Sequence, residues 1–193
     1  VVDSDLRASG YKLDPDTDWI RYGSMHFDLG RFDTTVRHAV RFLDDVVTIN
    51  QHPTPGTAEM GLRTRKIGLG VMGWADALVK LRIPYGSEHA RGLARKIAQR
   101  LKLVADAYSA HLGELKGDFP EFRQSTLSKA GGGQWEHMRN AWRLSIAPTG
   151  TISMIADCSS GIEPLFALSY TKQNMSAAME GVRLSYVNKD LLA

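Results

Sequence analysis

The sequence predicts an α/β fold, rich in helix over its first two thirds and with a few strands late in the chain. Two apolar stripes at helical spacing and two short β-compatible runs predict it. Phe32, Val36, Val40, Leu43 and Val47 form the first stripe. The second runs through Leu93, Ile97, Leu101, Val104, Tyr108, Leu112 and Leu115. The helix that carries it is expected to run for roughly thirty residues, about 45 Å at 1.5 Å per residue. The β-compatible runs are Trp142–Ile146 and Leu165–Thr171.

Taken in order, residues 1–22 are polar and Asp-rich and read as an irregular arm. Asp33 is the expected N-cap of the first helix, and Asn50 with the Pro53/Pro55 pair ends it. A Gly-rich stretch, Gly68–Gly73, leads into a short helix whose Trp74, Ala77, Leu78 and Leu81 share a face. Pro84, Tyr85 and Gly86 make a turn. Ser87 caps the long helix, and Glu88 sits against the positive end of its dipole. The Ser-, Lys- and Gly-rich run Ser125–Gly133 reads as a flexible loop or a tolerated insertion site. No internal repeat is present.

Composition narrows the function classes. A chain of 193 residues, 43% hydrophobic, can bury one ordinary core or two small ones. The 23% of charged residues are mixed in sign, which argues against wholesale disorder. The net charge of +3 comes from scattered basic residues, densest over Arg91–Lys102. That pattern speaks for a solvated helix face and against a DNA or RNA binder, and it suits a phosphorylated small ligand. One cysteine, Cys158, leaves no disulfide framework and no Cys-rich zinc site, as in a reducing cytoplasm. The opening Val-Val-Asp-Ser-Asp has no signal pattern. The longest apolar run, Ile67–Ala75, is far short of the ~20 residues that cross a bilayer. A cytoplasmic protein without a membrane segment is expected.

Chemistry concentrates in Ala147-Pro-Thr-Gly-Thr-Ile-Ser153. Pro148 fixes a turn after a strand, and Gly150 lets a ligand approach the backbone. Free amides at a helix start favour an anion, and the hydroxyls of Thr149, Thr151 and Ser153 add donors. A plain capped strand-to-helix turn explains the same residues equally well. Cys158-Ser-Ser-Gly-Ile-Glu-Pro164 puts a thiol and the Glu163 carboxylate nearby. A lone thiol cannot cycle as an intrachain dithiol, and a buried structural cysteine is the simpler reading.

Other motifs fail. Gly68-Leu-Gly-Val-Met-Gly73 matches the dinucleotide pattern Gly-x-Gly-x-x-Gly, but Arg63-Thr-Arg-Lys66 is a poor buried strand to precede it. Close helix packing explains these glycines better. Asp14-Pro-Asp-Thr-Asp18 starts like a calcium loop, yet Trp19 and Met25 stand where glycine and glutamate belong. His26, His38, His52, His89, His111 and His137 include no i,i+4 pair; His111 and Glu114 could share a helix face but lack a third ligand. No metal site is expected.

Arg41-Phe-Leu-Asp-Asp-Val-Val47, Arg65-Lys-Ile-Gly-Leu-Gly-Val-Met-Gly73, Ile83-Pro-Tyr85, Ile146-Ala-Pro-Thr-Gly-Thr-Ile-Ser153 and Cys158-Ser-Ser-Gly-Ile-Glu-Pro-Leu-Phe-Ala-Leu-Ser-Tyr170 occur together in this order. The series resembles the C-terminal half of the large catalytic subunit of adenosylcobalamin-dependent (class II) ribonucleotide reductases, over residues 23–175. Residues 1–22 do not resemble it, and residues 176–193 form a weakly similar C-terminal segment. The resemblance implies part of a ten-stranded α/β barrel made of two antiparallel half-barrels. It also implies an oxidoreductase that turns ribonucleotides into 2′-deoxyribonucleotides by a radical route, with adenosylcobalamin as the radical source and a thioredoxin-type reductant. In that family the loop matching Pro148, Thr149, Gly150, Thr151, Ile152 and Ser153 holds the substrate's phosphates. Cys158 and Glu163, close by in the sequence, are candidate supporting groups around it.

The same resemblance marks what this sequence lacks. It contains no Asn-x-Cys-x-Glu for the radical cysteine, so no catalytic residue is expected here. Ile20 stands where the family usually has a redox cysteine, three residues before Gly23-Ser24. A chain inactive alone is expected, partnered by the N-terminal half of a reductase or by a homologous chain, with self-association into a homodimer through unpaired strand edges as a further expectation. The rival expectation is a non-catalytic degenerate homologue that binds a nucleotide or the intact reductase.

Overall fold

The computed structural model describes residues 12–13, 19–22, 25–167, 169–173 and 183–188. The Asp14–Asp18 rhythm, the Gly23-Ser24 pair and most of the 176–193 segment lie outside the described residues. The chain divides into two compact units, one of Val1–Gly70 with Arg91–Ala147, the other of Val71–Ala90 with Pro148–Ala193.

The first unit begins with strands, where the sequence reading expects an irregular arm. Strands β1 (Lys12–Leu13), β2 (Trp19–Tyr22) and β3 (Met25–Asp28) form an antiparallel sheet in that order. Ile20 pairs with Phe27 across β2 and β3. Strands are therefore not confined to the end of the chain. The described sheets are this one and a two-stranded one, and neither closes on itself.

Helix α1 (Leu29–Ile49) follows directly. Its N-cap is Asp28, whose carboxylate accepts the Arg31 amide at 2.8 Å, and not Asp33. Asp33 lies inside the helix, 6% exposed, because the Arg100 guanidinium donates to both of its oxygens, at 2.9 Å from Nε to Oδ1 and 2.5 Å from Nη2 to Oδ2. The C-cap at Asn50 agrees with the sequence reading. Helix α2 (Pro55–Thr64) was not expected, since the prolines read as a break. Thr54 and Thr57 form a reciprocal capping box, and Pro55 occupies the first turn, where its missing N–H costs nothing.

The long helix α4 (Glu88–Lys116) follows α3 (Trp74–Lys80) of the second unit. Ser87 caps α4, its hydroxyl accepting the Ala90 amide at 3.1 Å. Ser87→Ala should lower stability by about 1 kcal/mol in urea denaturation, and an unchanged midpoint would contradict the cap. Leu93, Ile97, Leu101, Val104 and Leu112 of the predicted stripe are buried, Tyr108 is half-buried, and Leu115 at the end of α4 is exposed. Asp33 meets Arg100, and Asp45 meets Lys116 at 2.6 Å, so α1 and α4 run side by side in the same sense.

At the centre of this unit a carboxylate is fully buried. Asp44 accepts from Arg65 at 2.7 Å, Asn140 at 3.1 Å and Arg139 at 3.3 Å. Asn140 is satisfied on both sides, donating also to the Arg65 carbonyl and accepting from the Ser109 hydroxyl at 2.8 Å. A second buried pair, Arg143 on Asp106 at 2.8 Å, ties the 140s to α4.

Two expectations about loops change. Ser125–Gly133 is a compact knot with two short 3-10 turns, Phe122–Gln124 just before it and Lys129–Gly131 within it. Ser128, 3% exposed, donates to the Arg123 and Ser125 carbonyls. A Cβ on Gly131 would lie 2.1 Å from the Ser125 carbonyl oxygen, and one on Gly133 2.2 Å from that of Leu127. These glycines permit close approach of two backbone segments. The run Trp142–Ile146 is extended, pairing in parallel with the Ile67–Leu69 segment through Leu69 and Leu144. Gly68 and Gly70 lie in that ladder, packed against Ser145 and not against a helix.

The second unit holds α3, the four-residue helix α5 (Ile152–Ile155), and strands β4 (Ser169–Gln173) and β5 (Arg183–Val187), paired antiparallel. The strand expected over Leu165–Thr171 thus starts later, at Ser169. Ala75, Asp76, Leu78, Leu81 and Ile83 are buried in this unit.

Candidate functional site

The loop singled out by its chemistry enters the second unit at Pro148. Thr149 takes a left-handed conformation, φ 51°, rarely adopted by a β-branched residue. Its side chain explains how it stays there: Oγ1 accepts the Gly161 amide at 2.7 Å, anchoring the loop to the returning chain. The Ser153 amide then closes on the Thr149 carbonyl at 3.0 Å and begins α5. Ser153 is 3% exposed, and its hydroxyl meets that of Ser160 at 3.0 Å.

Of the three hydroxyls, then, two serve the loop's own shape. Thr151 has the third, and it caps nothing. Thr151 and Ile152 are exposed, and their amides, at the start of α5, make no hydrogen bond among the described residues. Such amides are the donors a helix start leaves open. Gly150 has open space around its Cα, with nothing within 4 Å of an added Cβ. Pro148 is exposed beside it.

Cys158 and Glu163 lie on the return. The Cys158 amide donates to the Ser153 carbonyl at 3.0 Å, and the Glu163 amide to that of Ser160 at 3.0 Å. Both side chains line a recess with Ser160, Phe166 and Tyr170 that encloses about 30 Å³, roughly one water's share of the liquid. None of residues 148–153 lines it. Burial pushes the Cys158 thiol up from its ordinary value, and the negative charges of Asp76 and Asp157 push the same way. The thiol is held protonated, the opposite of an activated nucleophile.

Sequence reasoning missed the groups that hold the return in place. Asp76 of α3, 6% exposed, accepts the Ser159 amide at 2.5 Å and the Asn188 side-chain amide at 2.7 Å. Its own amide donates to the Ser159 hydroxyl at 3.3 Å. Tyr85 donates its phenol to the Ile162 carbonyl at 2.6 Å. These partners lie 77 to 112 residues apart, so no local pattern announces them. Gly73, the last glycine of the dinucleotide-like string, has φ 79° and donates its amide to the Ser159 carbonyl at 2.8 Å. It belongs to this clamp. Among the described residues no group of three His, Cys, Asp or Glu is arranged to hold a metal ion, and no helix is long and apolar enough to cross a membrane.

The family model "Ribonucleotide reductase, barrel domain" matches residues 18–193. The chain belongs to this family. The match takes in Ile20 and the C-terminal segment, extending past the 23–175 carried by the motifs. This ribonucleotide reductase barrel chain is 45% identical over 145 residues to a vitamin B12-dependent ribonucleoside-diphosphate reductase of Mycobacterium tuberculosis, covering 75% of the chain and 20% of that protein. It is 43% identical over 161 residues to the vitamin B12-dependent enzyme of Thermoplasma acidophilum, covering 83% of the chain and 20% of that protein. A ribonucleoside-diphosphate reductase subunit alpha of Chlamydia pneumoniae is 28% identical over 182 residues. The barrel chain spans about one fifth of the length of the B12-dependent relatives it matches.

Proposed function

We propose that the chain forms the C-terminal part of the barrel of an adenosylcobalamin-dependent ribonucleotide reductase, where it holds the phosphates of a ribonucleotide substrate. Pro148, Thr149, Gly150, Thr151, Ile152 and Ser153 are the binding loop. The observation that carries this is the pair of exposed, unbonded amides at Thr151 and Ile152, next to a glycine with open space. Backbone donors at a helix start, one hydroxyl and no nearby Cβ suit an anionic oxygen. Cys158 and Glu163, on the returning chain, would be supporting groups next to this loop rather than ligands of the phosphate.

The ten-stranded barrel would be completed by sequence from the N-terminal half of a reductase, which would also bring the radical cysteine. Adenosylcobalamin supplies the radical in enzymes of this type. No residue of this chain is assigned to the cofactor. The chain alone is expected not to reduce ribonucleotides. Its partner is that N-terminal half or a second copy, in the cytoplasm. Ile20, paired inside β2 with Phe27, favours one second reading: a copy without the usual redox cysteine that binds nucleotide or the intact reductase without turnover.

Thermal melting with ribonucleoside diphosphate or inorganic phosphate tests the loop. Both should raise the melting temperature of the wild type, and Thr151→Ala should abolish most of the rise. Equal stabilisation of the variant would rule the loop out. A reductase assay with and without an upstream polypeptide carrying Asn-x-Cys-x-Glu separates the two readings, since turnover should need both chains. Turnover by this chain alone would refute both.

A further inference from the structure

We infer that Asp76 is the positioning residue of the proposed phosphate loop, acting through the Ser159–Gly161 turn; the inference rests on the loop reading above. The path is continuous within the second unit. Asp76 is buried and ionisable, and its carboxylate divides between two donors: Oδ2 takes the Ser159 amide at 2.5 Å and Oδ1 takes the Asn188 Nδ2 at 2.7 Å. The first turn of α3 completes the grip. Gly73 donates to the Ser159 carbonyl at 2.8 Å, Trp74 to the Gly161 carbonyl at 3.3 Å, and the Asp76 amide to the Ser159 hydroxyl. Every polar group of Ser159 is therefore held by α3 and its N-cap, Gly73.

The next two residues hold the loop. Ser160 meets the Ser153 hydroxyl at 3.0 Å, and the Gly161 amide donates to Thr149 Oγ1 at 2.7 Å. These are the contacts that keep Thr149 at φ 51° and set where the Thr151 and Ile152 amides point. Asp76 touches no residue of the loop; it fixes the turn that fixes the loop. A carboxylate suits this task because it accepts from two donors at once and each bond is charge-assisted. An asparagine in its place puts an NH2 against one of them.

The experiment uses the whole ¹⁵N-labelled 193-residue chain, titrated with inorganic pyrophosphate and followed by amide spectra. In the wild type the Thr151 and Ile152 amides should shift on titration. With Asp76→Asn, the Gly161, Thr151 and Ile152 amides should move before any ligand is added, and pyrophosphate should bind about tenfold more weakly, as expected for one lost charge-assisted bond. Adding Asn188→Asp to Asp76→Asn restores one donor and one acceptor across that pair, and the affinity should return. A general loss of packing would not be rescued by exchanging the two side chains.

If the wild type shows no shift at Thr151 or Ile152, the loop reading falls and this inference falls with it. If the wild type responds while folded Asp76→Asn binds equally well, the inference alone is overturned. Should Asp76→Asn fail to fold, Ser159→Ala carries the test. Because it removes only the hydroxyl that accepts the Asp76 amide, it is paired with Asp76→Glu, which keeps the charge but displaces both oxygens from the Ser159 amide and Asn188. An affinity equal to wild type in Asp76→Glu would overturn the coupling.

Discussion

Asp44→Asn should cost about 3–5 kcal/mol of folding stability, the largest loss expected for one side chain here. Asp44 has no exposed surface, and Arg65 beside it is 5% exposed. With the charge gone, Arg65 stays buried without a counterion, and Arg139 and Lys116 lose the anion they lean on. Urea denaturation of the variant measures the cost. The double change with Arg65→Met should recover part of it, because an apolar pair no longer buries a lone charge. A loss below ~1 kcal/mol would show that water reaches Arg65 freely.

The same residue predicts a pH dependence. Burial alone would raise the Asp44 carboxyl, but hydrogen bonds and charge from Arg65, with Arg139 and Asn140 adding to them, hold it below its ordinary value of 3.8. A carboxyl depressed on folding stabilises the native state fully above its unfolded value, and the contribution is lost as pH falls through the folded one. Stability should therefore fall below about pH 4, and the Asp44→Asn variant should lack that component. Identical acid profiles for the two proteins would contradict it.

Gly70→Ala should also be strongly destabilising, by about 1–3 kcal/mol or more. An added Cβ would stand 2.2 Å from the Ser145 carbonyl oxygen, which is backbone and cannot rotate away. Relief requires opening the Leu69–Ser145 hydrogen bond, 3.0 Å long. Gly68→Ala meets the Ser145 hydroxyl instead, at 2.5 Å, and a hydroxyl can turn aside. Melting temperatures should separate the two, at roughly 2–4 °C per kcal/mol for a chain of this length. Faster exchange of the Leu69 and Ser145 amides in Gly70→Ala should accompany the loss. Equal melting temperatures would sink the packing explanation of this glycine string.

The helices of the first unit were legible because their burial repeats along the sequence. Val36 and Val40, or Leu93, Ile97 and Leu101, announce a face whatever lies against it. The polar residues within those faces were not legible. Asp33 reads as a cap because a carboxylate near a helix start usually is one, and only Arg100, 67 residues on, reveals its role. Helix α2 could have been found: Thr54-Pro55 with Thr57 is a local start signal, overridden by reading the prolines as a stop. Strand β2 had its signal too, in Trp19-Ile-Arg-Tyr22, masked by the acidic residues around it. Ser125–Gly133 was misread for a different reason. Composition cannot tell a glycine that gives freedom from one that lets two backbones touch.

At the loop, residue chemistry singles out the segment but does not reveal the division of labour among its hydroxyls. Three hydroxyls look alike on paper. The fold commits Thr149 to Gly161 and Ser153 to Ser160, and leaves Thr151 outward. The motif comparison found the family because several such segments keep their order, which no single one could establish.

The left-handed backbone at Thr149 has one more consequence. Holding a β-branched residue there stores on the order of 1–3 kcal/mol, offset by the bond to Gly161. The chain thus meets the cost of shaping this turn as it folds. Under the reading proposed here, an arriving anion would have only water to displace, so its capture should be rapid and accompanied by little ordering of the protein.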